Sequence, residues 1–160
     1  MNRLLIMLGL LISLQGFTLT ANAVNGPYDP ERDPFKDFDL AQIEAKKNDK
    51  FILIQVGGNW CSWCHKLERF FNQSSEIKAL LNNNFVVVKV NVSEENYNEE
   101  FLDQLPEFVG YPFLVVTDAN GEVLNSITSG YLEEGNGYSE TKFREYFKAM
   151  KSIRKKSTSG

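Results

Sequence analysis

Two cysteines stand close together in this sequence, and they are the only two in its 160 residues. Cys61 and Cys64 enclose Ser62 and Trp63 in the stretch GGNWCSWCHK. Such a pair can cycle between a dithiol and a disulfide, because a thiolate attacks a disulfide sulfur through a mixed-disulfide intermediate. Stability explains the pair poorly, since a bridge across two residues closes almost no loop. The spacing therefore indicates redox chemistry.

The residues flanking the pair predict a buried strand followed by a helix. Residues 51–56 are apolar at all but one position, which indicates a strand covered on both faces. Cys64, Leu67 and Phe71 then follow with helical spacing. A helix N-terminus has unpaired N–H groups and a partial positive charge, and both favour a thiolate. We therefore expect Cys61, at the helix start, to be the more exposed nucleophile, and Cys64, one turn deeper, to resolve the mixed disulfide.

The first 23 residues have the pattern of a secretory signal. Arg3 is followed by an apolar run over residues 4–14, which is short against the roughly 20 residues of a membrane-spanning helix. The triplet at residues 21–23, Ala-Asn-Ala, matches a small-x-small cleavage site. An uncleaved membrane anchor is the alternative. Cleavage after Ala23 predicts a periplasmic or secreted protein with no stable membrane insertion.

Composition limits the partners of the exported part. The whole chain has a net charge of −4, and removing the signal takes away one basic residue and no acidic one. This acidic balance argues against nucleic acid as a partner. We expect a linker at 24–34, one domain at 35–153 and a polar tail at 154–160.

Hydrophobic periodicity predicts an α/β domain. The predicted helices span residues 37–48 with Asp39 as N-cap, about 62–72, 74–84, 94–105, and a last helix that begins after Ser139. The predicted strands span residues 51–56, 85–90, 113–116 and 122–127. Strands joined through helices should be parallel, and the closing hairpin should be antiparallel. We therefore expect a central mixed sheet of about four strands with helices on both faces.

Three features together resemble the thioredoxin superfamily. They are the Trp60-Cys61-x-x-Cys64 motif after a buried strand, the order of the elements, and Tyr111-Pro112 entering the third strand. The similarity covers about residues 35–153, and the signal pattern makes the chain similar to the secreted branch. The resemblance implies a thioredoxin-like fold, with Cys61 as nucleophile and Cys64 as resolving cysteine.

The resemblance also implies roles for residues around the pair. Pro112 matches a cis-proline at which a substrate backbone docks, and Trp60 matches the tryptophan before the motif. Lys89 matches a lysine that many thioredoxins carry in this strand. Trp63 and Tyr111 join Trp60 and Pro112 as candidates for substrate docking.

One position departs from the family pattern. Many thioredoxins have a buried aspartate where this chain has Gln55, and an amide cannot act as a carboxylate base. Glu68, His65 or a water could take over proton transfer at Cys64. The Ser62-Trp63 pair between the cysteines also differs from typical thioredoxins, so the direction of electron flow stays open.

These observations predict an exported thiol–disulfide oxidoreductase that acts on protein cysteines and uses no cofactor or metal. Its partners would be exported proteins with cysteines or disulfides and, for a reductase, a membrane electron donor. One alternative is a binding or chaperone-like module that uses the groove around Trp60, Trp63 and Pro112. Another is a c-type haem carrier, because Cys-x-x-Cys-His is also a haem attachment signature, with His65 as axial ligand.

Overall fold

The computed structural model describes residues 26–157, with side chains as far as residue 153. The predicted signal at 1–23 and the end of the predicted tail lie outside these residues. In chain order the elements are α1 (Pro34–Asn48), β1 (Phe51–Gly57), α2 (Ser62–Gln73), α3 (Ser75–Asn84), β2 (Phe85–Asn91), α4 (Glu99–Leu102), β3 (Phe113–Thr117), β4 (Val123–Thr128), a 3-10 helix (Ser129–Leu132), β5 (Glu133–Glu134), β6 (Gly137–Tyr138) and α5 (Glu140–Ser157).

The four long strands form one mixed sheet, as predicted, and the structure gives their order as β2-β1-β3-β4. β1 is parallel to β2, and β3 pairs antiparallel with both β1 and β4. The prediction that β3 would be parallel to the first two strands is therefore wrong. A parallel return usually needs a substantial crossover helix, and the helix predicted at 94–105 is reduced to the four residues of α4.

Asparagine side chains explain why the helix before β3 is so short. Asn91 donates to the backbone oxygen of Asn96 over 3.1 Å, and Asn98 donates back to the oxygen of Asn91 over 2.8 Å. Asn98 itself has a left-handed conformation, with φ of 52°. Such local side-chain bonds offer the backbone an alternative to the helix, and they hold residues 91–98 in a turn.

The folded domain begins at an earlier residue than the sequence predicted. α1 begins at Pro34, and its N-cap is Asp33, not Asp39, because the Asp33 side chain accepts from the N–H groups of Phe35 and Lys36. Proline suits the first helical position, where no N–H is needed. Tyr28 lies within the predicted linker, yet its side chain is fully buried. The described part of that segment therefore packs on the domain.

The sheet separates two apolar cores, and β1 contributes to both. Phe51 and Leu53 face the core formed with α2, α3 and α5, whereas Ile52 and Ile54 face the core on the side of α1 and α4. All seven residues of β1 are buried, which confirms the predicted strand with two covered faces. No helix within residues 26–157 combines the length and apolarity that crossing a membrane requires.

The loop between the last predicted strand and the last predicted helix contains regular structure, and so does the predicted tail. The loop holds the 3-10 helix and the small β5–β6 hairpin, whose Tyr138 lies against Trp63 of α2 with ring centroids 5.4 Å apart. α5 continues to Ser157 and so includes part of the predicted tail. The hairpin thus brings a second element beside the cysteine helix.

Candidate active site

The two cysteines lie at the first turn of α2. Cys61 is the N-cap residue, and its Sγ accepts a hydrogen bond from the backbone N–H of Cys64 over 3.1 Å. A disulfide joins the two residues, whose Cα atoms are 5.2 Å apart. Cys61 is 6% exposed and Cys64 is fully buried. The expected order of exposure is confirmed, although only a small part of Cys61 reaches the surface.

Two glycines before the motif allow close packing around it. A Cβ at Gly57 would lie 2.6 Å from both Cys64 Sγ and the Tyr28 hydroxyl oxygen. A Cβ at Gly58 would collide with the Trp60 indole and lie 2.5 Å from the backbone oxygen of Val92. These close approaches explain why the strand ends in Gly-Gly where it meets the helix.

A tyrosine from the N-terminal segment occupies the space next to the resolving cysteine. Tyr28 forms a small buried cluster with Cys61 and Cys64. Its hydroxyl oxygen accepts a hydrogen bond from Gln55 Nε2 over 2.8 Å. Burial is the largest cause that raises the pKa of Tyr28 above its usual value, so the hydroxyl stays protonated. Sequence reasoning missed this residue, because its partners Gln55 and Asn59 are 27 and 31 positions away in the chain. Its own segment is rich in turn residues.

Gln55 stands where the resemblance would place a buried carboxylate. Its side chain is fully buried, and its amide nitrogen is engaged by Tyr28. Its Oε1 has no hydrogen-bond partner among the described residues. Gln55 and Tyr28 therefore form an uncharged, hydrogen-bonded polar pair that is buried beside Cys64.

Asn59, in the loop before Cys61, forms hydrogen bonds with the N-terminal segment. Its Oδ1 accepts from the backbone N–H of Tyr28 over 3.0 Å, and its Nδ2 donates to the backbone oxygen of Tyr28 over 2.7 Å. His65 Nε2 lies 2.7 Å from the backbone oxygen of Asn59. His65 therefore supports the loop, and Asn59 is a second site residue that sequence reasoning missed.

Lys89 of β2 and Glu68 of α2 form an ion pair. Lys89 Nζ lies 2.7 Å from Glu68 Oε2, and both side chains are about one-third exposed. Asn72 Nδ2 donates to the other carboxylate oxygen, Oε1, over 3.0 Å. Both oxygens of the candidate base Glu68 are thus already engaged.

Trp60 and Tyr111 form the outer aromatic surface of the site. Trp60 is 61% exposed, and its Nε1 donates to the backbone oxygen of Val92 over 2.6 Å. Its ring meets the Tyr111 ring edge-on at 5.3 Å, and partial burial raises the pKa of the Tyr111 hydroxyl. The Tyr111–Pro112 peptide is cis, as the resemblance implied. A groove of about 340 Å³ runs beside this surface, lined by Trp60, Tyr97 and Tyr111 among others.

Trp63 contacts a lysine and a tyrosine. Lys66 Nζ lies 3.8 Å from its ring centroid, and Tyr138 packs against it edge-on. The Tyr138 hydroxyl also lies 2.9 Å from Ser129 Oγ. Trp63 is half-buried, so of the two tryptophans Trp60 offers more surface to a partner.

The structure thus brings the predicted residues into two groups. Cys61, Cys64 and Gln55 lie together with Tyr28 in the interior, while Trp60 and Tyr111 form the exposed edge. Within residues 26–157, no group of three or more His, Cys, Asp or Glu side chains is arranged to hold a metal ion.

A mixed sheet covered by helices, with a Cys-x-x-Cys pair at disulfide distance on a helix N-terminus, defines a thioredoxin-like fold of the thiol–disulfide oxidoreductase type. The comparisons with known proteins then give the family. The chain belongs to the Thioredox_DsbH family, described as a protein of unknown function, DUF255, whose model matches residues 33–159.

Three known proteins illustrate this similarity. The crystal structure of a disulphide isomerase from Xylella fastidiosa Temecula1 has a TM-score of 0.69 and 27% identity, and the match covers 81% of this chain and 99% of that one. Disulfide bond reductase DsbH from Chlamydia pneumoniae is 32% identical over 92 residues, which are 51% of this chain and 55% of that protein. Spermatogenesis-associated protein 20 from Mus musculus is 45% identical over 51 residues, which are 32% of this chain and 6% of that protein.

Proposed function

We propose that this protein is an exported thiol–disulfide oxidoreductase that exchanges disulfides with cysteines of other exported proteins. The observation that carries the proposal is the position of Cys61 as N-cap of α2, where its sulfur already accepts the Cys64 N–H. The same N–H and the helix dipole would stabilise a Cys61 thiolate once the pair is reduced. The relatives named as a disulfide bond reductase and a disulphide isomerase support the same chemistry.

The reaction has two displacement steps. The Cys61 thiolate attacks a substrate disulfide, forms a mixed disulfide, and releases one substrate sulfur, which takes up a proton from water. The Cys64 thiolate, having given its proton to water, then attacks Cys61 Sγ, closes the Cys61–Cys64 disulfide and releases the second substrate sulfur, which is protonated in turn. The substrate disulfide gains two electrons and the cysteine pair loses two.

Export and the electron donor are part of this proposal. The signal-like pattern of residues 1–23 supports export, and an oxidising compartment would leave the pair as a disulfide unless a donor reduces it. A membrane electron donor would restore the dithiol if the protein works as a reductase. No nucleic acid takes part, in keeping with the acidic net charge.

The substrate would dock on the exposed aromatic edge. Trp60 and Tyr111 supply a rigid apolar surface next to Cys61, and the cis Tyr111–Pro112 peptide precedes β3. Trp63, fixed between Lys66 and Tyr138, would shape the floor of this surface. A partner chain bound there would bring its own disulfide to the small exposed part of Cys61.

Reduction of insulin disulfides tests the proposal directly. Cys61→Ser should abolish turnover, whereas Cys64→Ser should accumulate mixed disulfides, because the second step is lost. Equal activity of both variants and the unsubstituted protein would end the proposal. If a double cysteine-to-alanine variant kept full partner binding and no redox phenotype followed, the binding-module alternative would be favoured.

The direction of electron flow is tested separately, by measuring the reduction potential of the Cys61–Cys64 couple. For a two-electron couple, each shift of about 30 mV changes the equilibrium constant tenfold. Comparison with a thioredoxin and a disulfide isomerase under the same glutathione buffer would therefore separate a reductase from an isomerase. Absence of a haem absorption band in the purified protein would exclude the c-type haem alternative.

A further inference from the structure

The unexplained feature of the site is the buried polar pair next to the resolving cysteine. Gln55 and Tyr28 are both fully excluded from solvent, and they bond to each other over 2.8 Å. In this bond the amide donates and the hydroxyl oxygen accepts. The hydroxyl hydrogen of Tyr28 is therefore still available to an acceptor. A buried donor needs one, because an unpaired buried polar group destabilises the fold.

The Cys64 sulfur lies close to this hydroxyl. The Tyr28 hydroxyl oxygen and Cys64 Sγ both lie 2.6 Å from a single point, the position of a Cβ at Gly57. They also belong to the same buried cluster. In the disulfide, the sulfur is a weak acceptor; as a thiolate it carries a full charge and accepts strongly.

We propose that the Tyr28 hydroxyl, held in place by the Gln55 amide, donates a hydrogen bond to the Cys64 thiolate when the pair is reduced. The proposal rests on the proposed oxidoreductase function and assigns to Tyr28 the hydrogen-bond support of the thiolate, while Gln55, as an amide, does not replace a carboxylate base. Tyr28 acts as a donor, not as a base, since its own proton is retained by the phenol throughout. The proton of Cys64 goes to solvent, and no further reactant is needed.

The other charged and titratable groups around this pocket are already engaged. Glu68 of α2 is paired with Lys89 of β2, and His65 Nε2 is bonded to a loop carbonyl. Tyr138 of β6 has its hydroxyl near Ser129 Oγ and the Trp63 backbone oxygen. These groups have other partners, whereas among the described residues the Tyr28 hydroxyl shares a buried cluster with Cys64 and has a hydrogen that it does not donate to another acceptor.

The test is the ionisation of Cys64 in a Cys61→Ser background. The ultraviolet absorbance of the thiolate is followed against pH, with and without Tyr28→Phe, and the spectrum of a variant with serine at both cysteine positions is subtracted. Tyr28→Phe keeps the buried ring and removes only the hydroxyl. Loss of a hydrogen bond to a charged group should raise the pKa of the Cys64 thiol by about 1 to 2 pH units. At a fixed pH below the Cys64 pKa of both variants, the thiolate fraction should fall about tenfold or more.

Tyr146→Phe is the matched control, because Tyr146 is another largely buried tyrosine, and its hydroxyl has no partner among the described residues. The Cys64 pKa should not move in this variant. An unchanged pKa in folded Tyr28→Phe, or an equal rise in Tyr146→Phe, would overturn the proposal. This titration needs no substrate turnover, so loss of the oxidoreductase function and loss of this hydrogen bond would be seen in different experiments.

Discussion

Substituting Gly57 by alanine is the sharpest test of the packing around Cys64. The added methyl would lie 2.6 Å from Cys64 Sγ and 2.6 Å from the Tyr28 hydroxyl oxygen. Favourable carbon contacts are about 3.5–4.0 Å, so each contact is roughly 1 Å too short. Neither neighbour can turn away, since Cys64 is tied to Cys61 and Tyr28 is buried and held by Gln55.

The expected cost follows from overpacking in a rigid interior. Inserting one methyl group into a well-packed core costs about 1–3 kcal/mol, and two simultaneous collisions favour the upper value. With a urea m-value of about 2 kcal/mol per M, the unfolding midpoint should fall by about 1 M or more. Displacing the resolving sulfur by about 1 Å should also slow insulin reduction by up to about a hundredfold.

Gly137→Ala is the control for this substitution. A Cβ at Gly137 would meet no atom within 4 Å, and neither glycine has a left-handed backbone. Both variants therefore reduce the freedom of the unfolded chain equally, and they differ only in the folded state. The same urea midpoint and the same turnover in Gly57→Ala and Gly137→Ala would refute the proximity of Tyr28 and Cys64 to this strand end.

Two further predictions concern tyrosines. Tyr28→Ala should lower the free energy of unfolding by about 3–5 kcal/mol in a urea titration, as expected for a large buried ring. Tyr97→Ala, at an exposed residue, should change it by no more than about 0.5 kcal/mol. Equal effects of the two substitutions would support the interpretation of the Tyr28 segment as a linker. Burial raises the pKa of Tyr138 from 10.0 to about 12, so the folded state holds the hydroxyl proton more tightly than the unfolded state. The contribution of this proton to the free energy of unfolding is therefore complete below pH 10 and should disappear as the pH rises towards 12. Tyr138→Phe should flatten that part of the stability curve, and an unchanged slope would contradict the burial of the hydroxyl.

Local signals in the sequence were sufficient for the centre of the site. The apolar run of β1 and the helical spacing after Cys64 predicted the strand and the helix, and the resemblance that Tyr111-Pro112 helps to carry implied the cis peptide that the structure contains. Each of these signals acts within a few residues. They placed both cysteines at the start of α2 without any long-range information.

The features that were missed depend on contacts between distant residues. Tyr28 lies among glycine, proline and charged residues, which are typical of a linker, and only its bonds to Gln55 and Asn59 show that it belongs to the core. The direction of β3 was mispredicted for a similar reason. Periodicity suggested a long helix at 94–105, but the asparagine bonds around Asn98 compete with it, and the chain then returns antiparallel.

Tyr28 also lies outside the residues that match the family model, which begin at residue 33. The domain supplies the cysteines, the helix N-terminus and Gln55, whereas the segment before it supplies the hydroxyl beside Cys64. Asn59 joins the two parts, because it bonds the Tyr28 backbone on one side and is followed within two positions by Cys61. If the Tyr28 hydroxyl supports the Cys64 thiolate as proposed, the second step of disulfide exchange depends on this N-terminal segment. Any change that detaches the segment should then slow the resolving step more than the initial attack by Cys61.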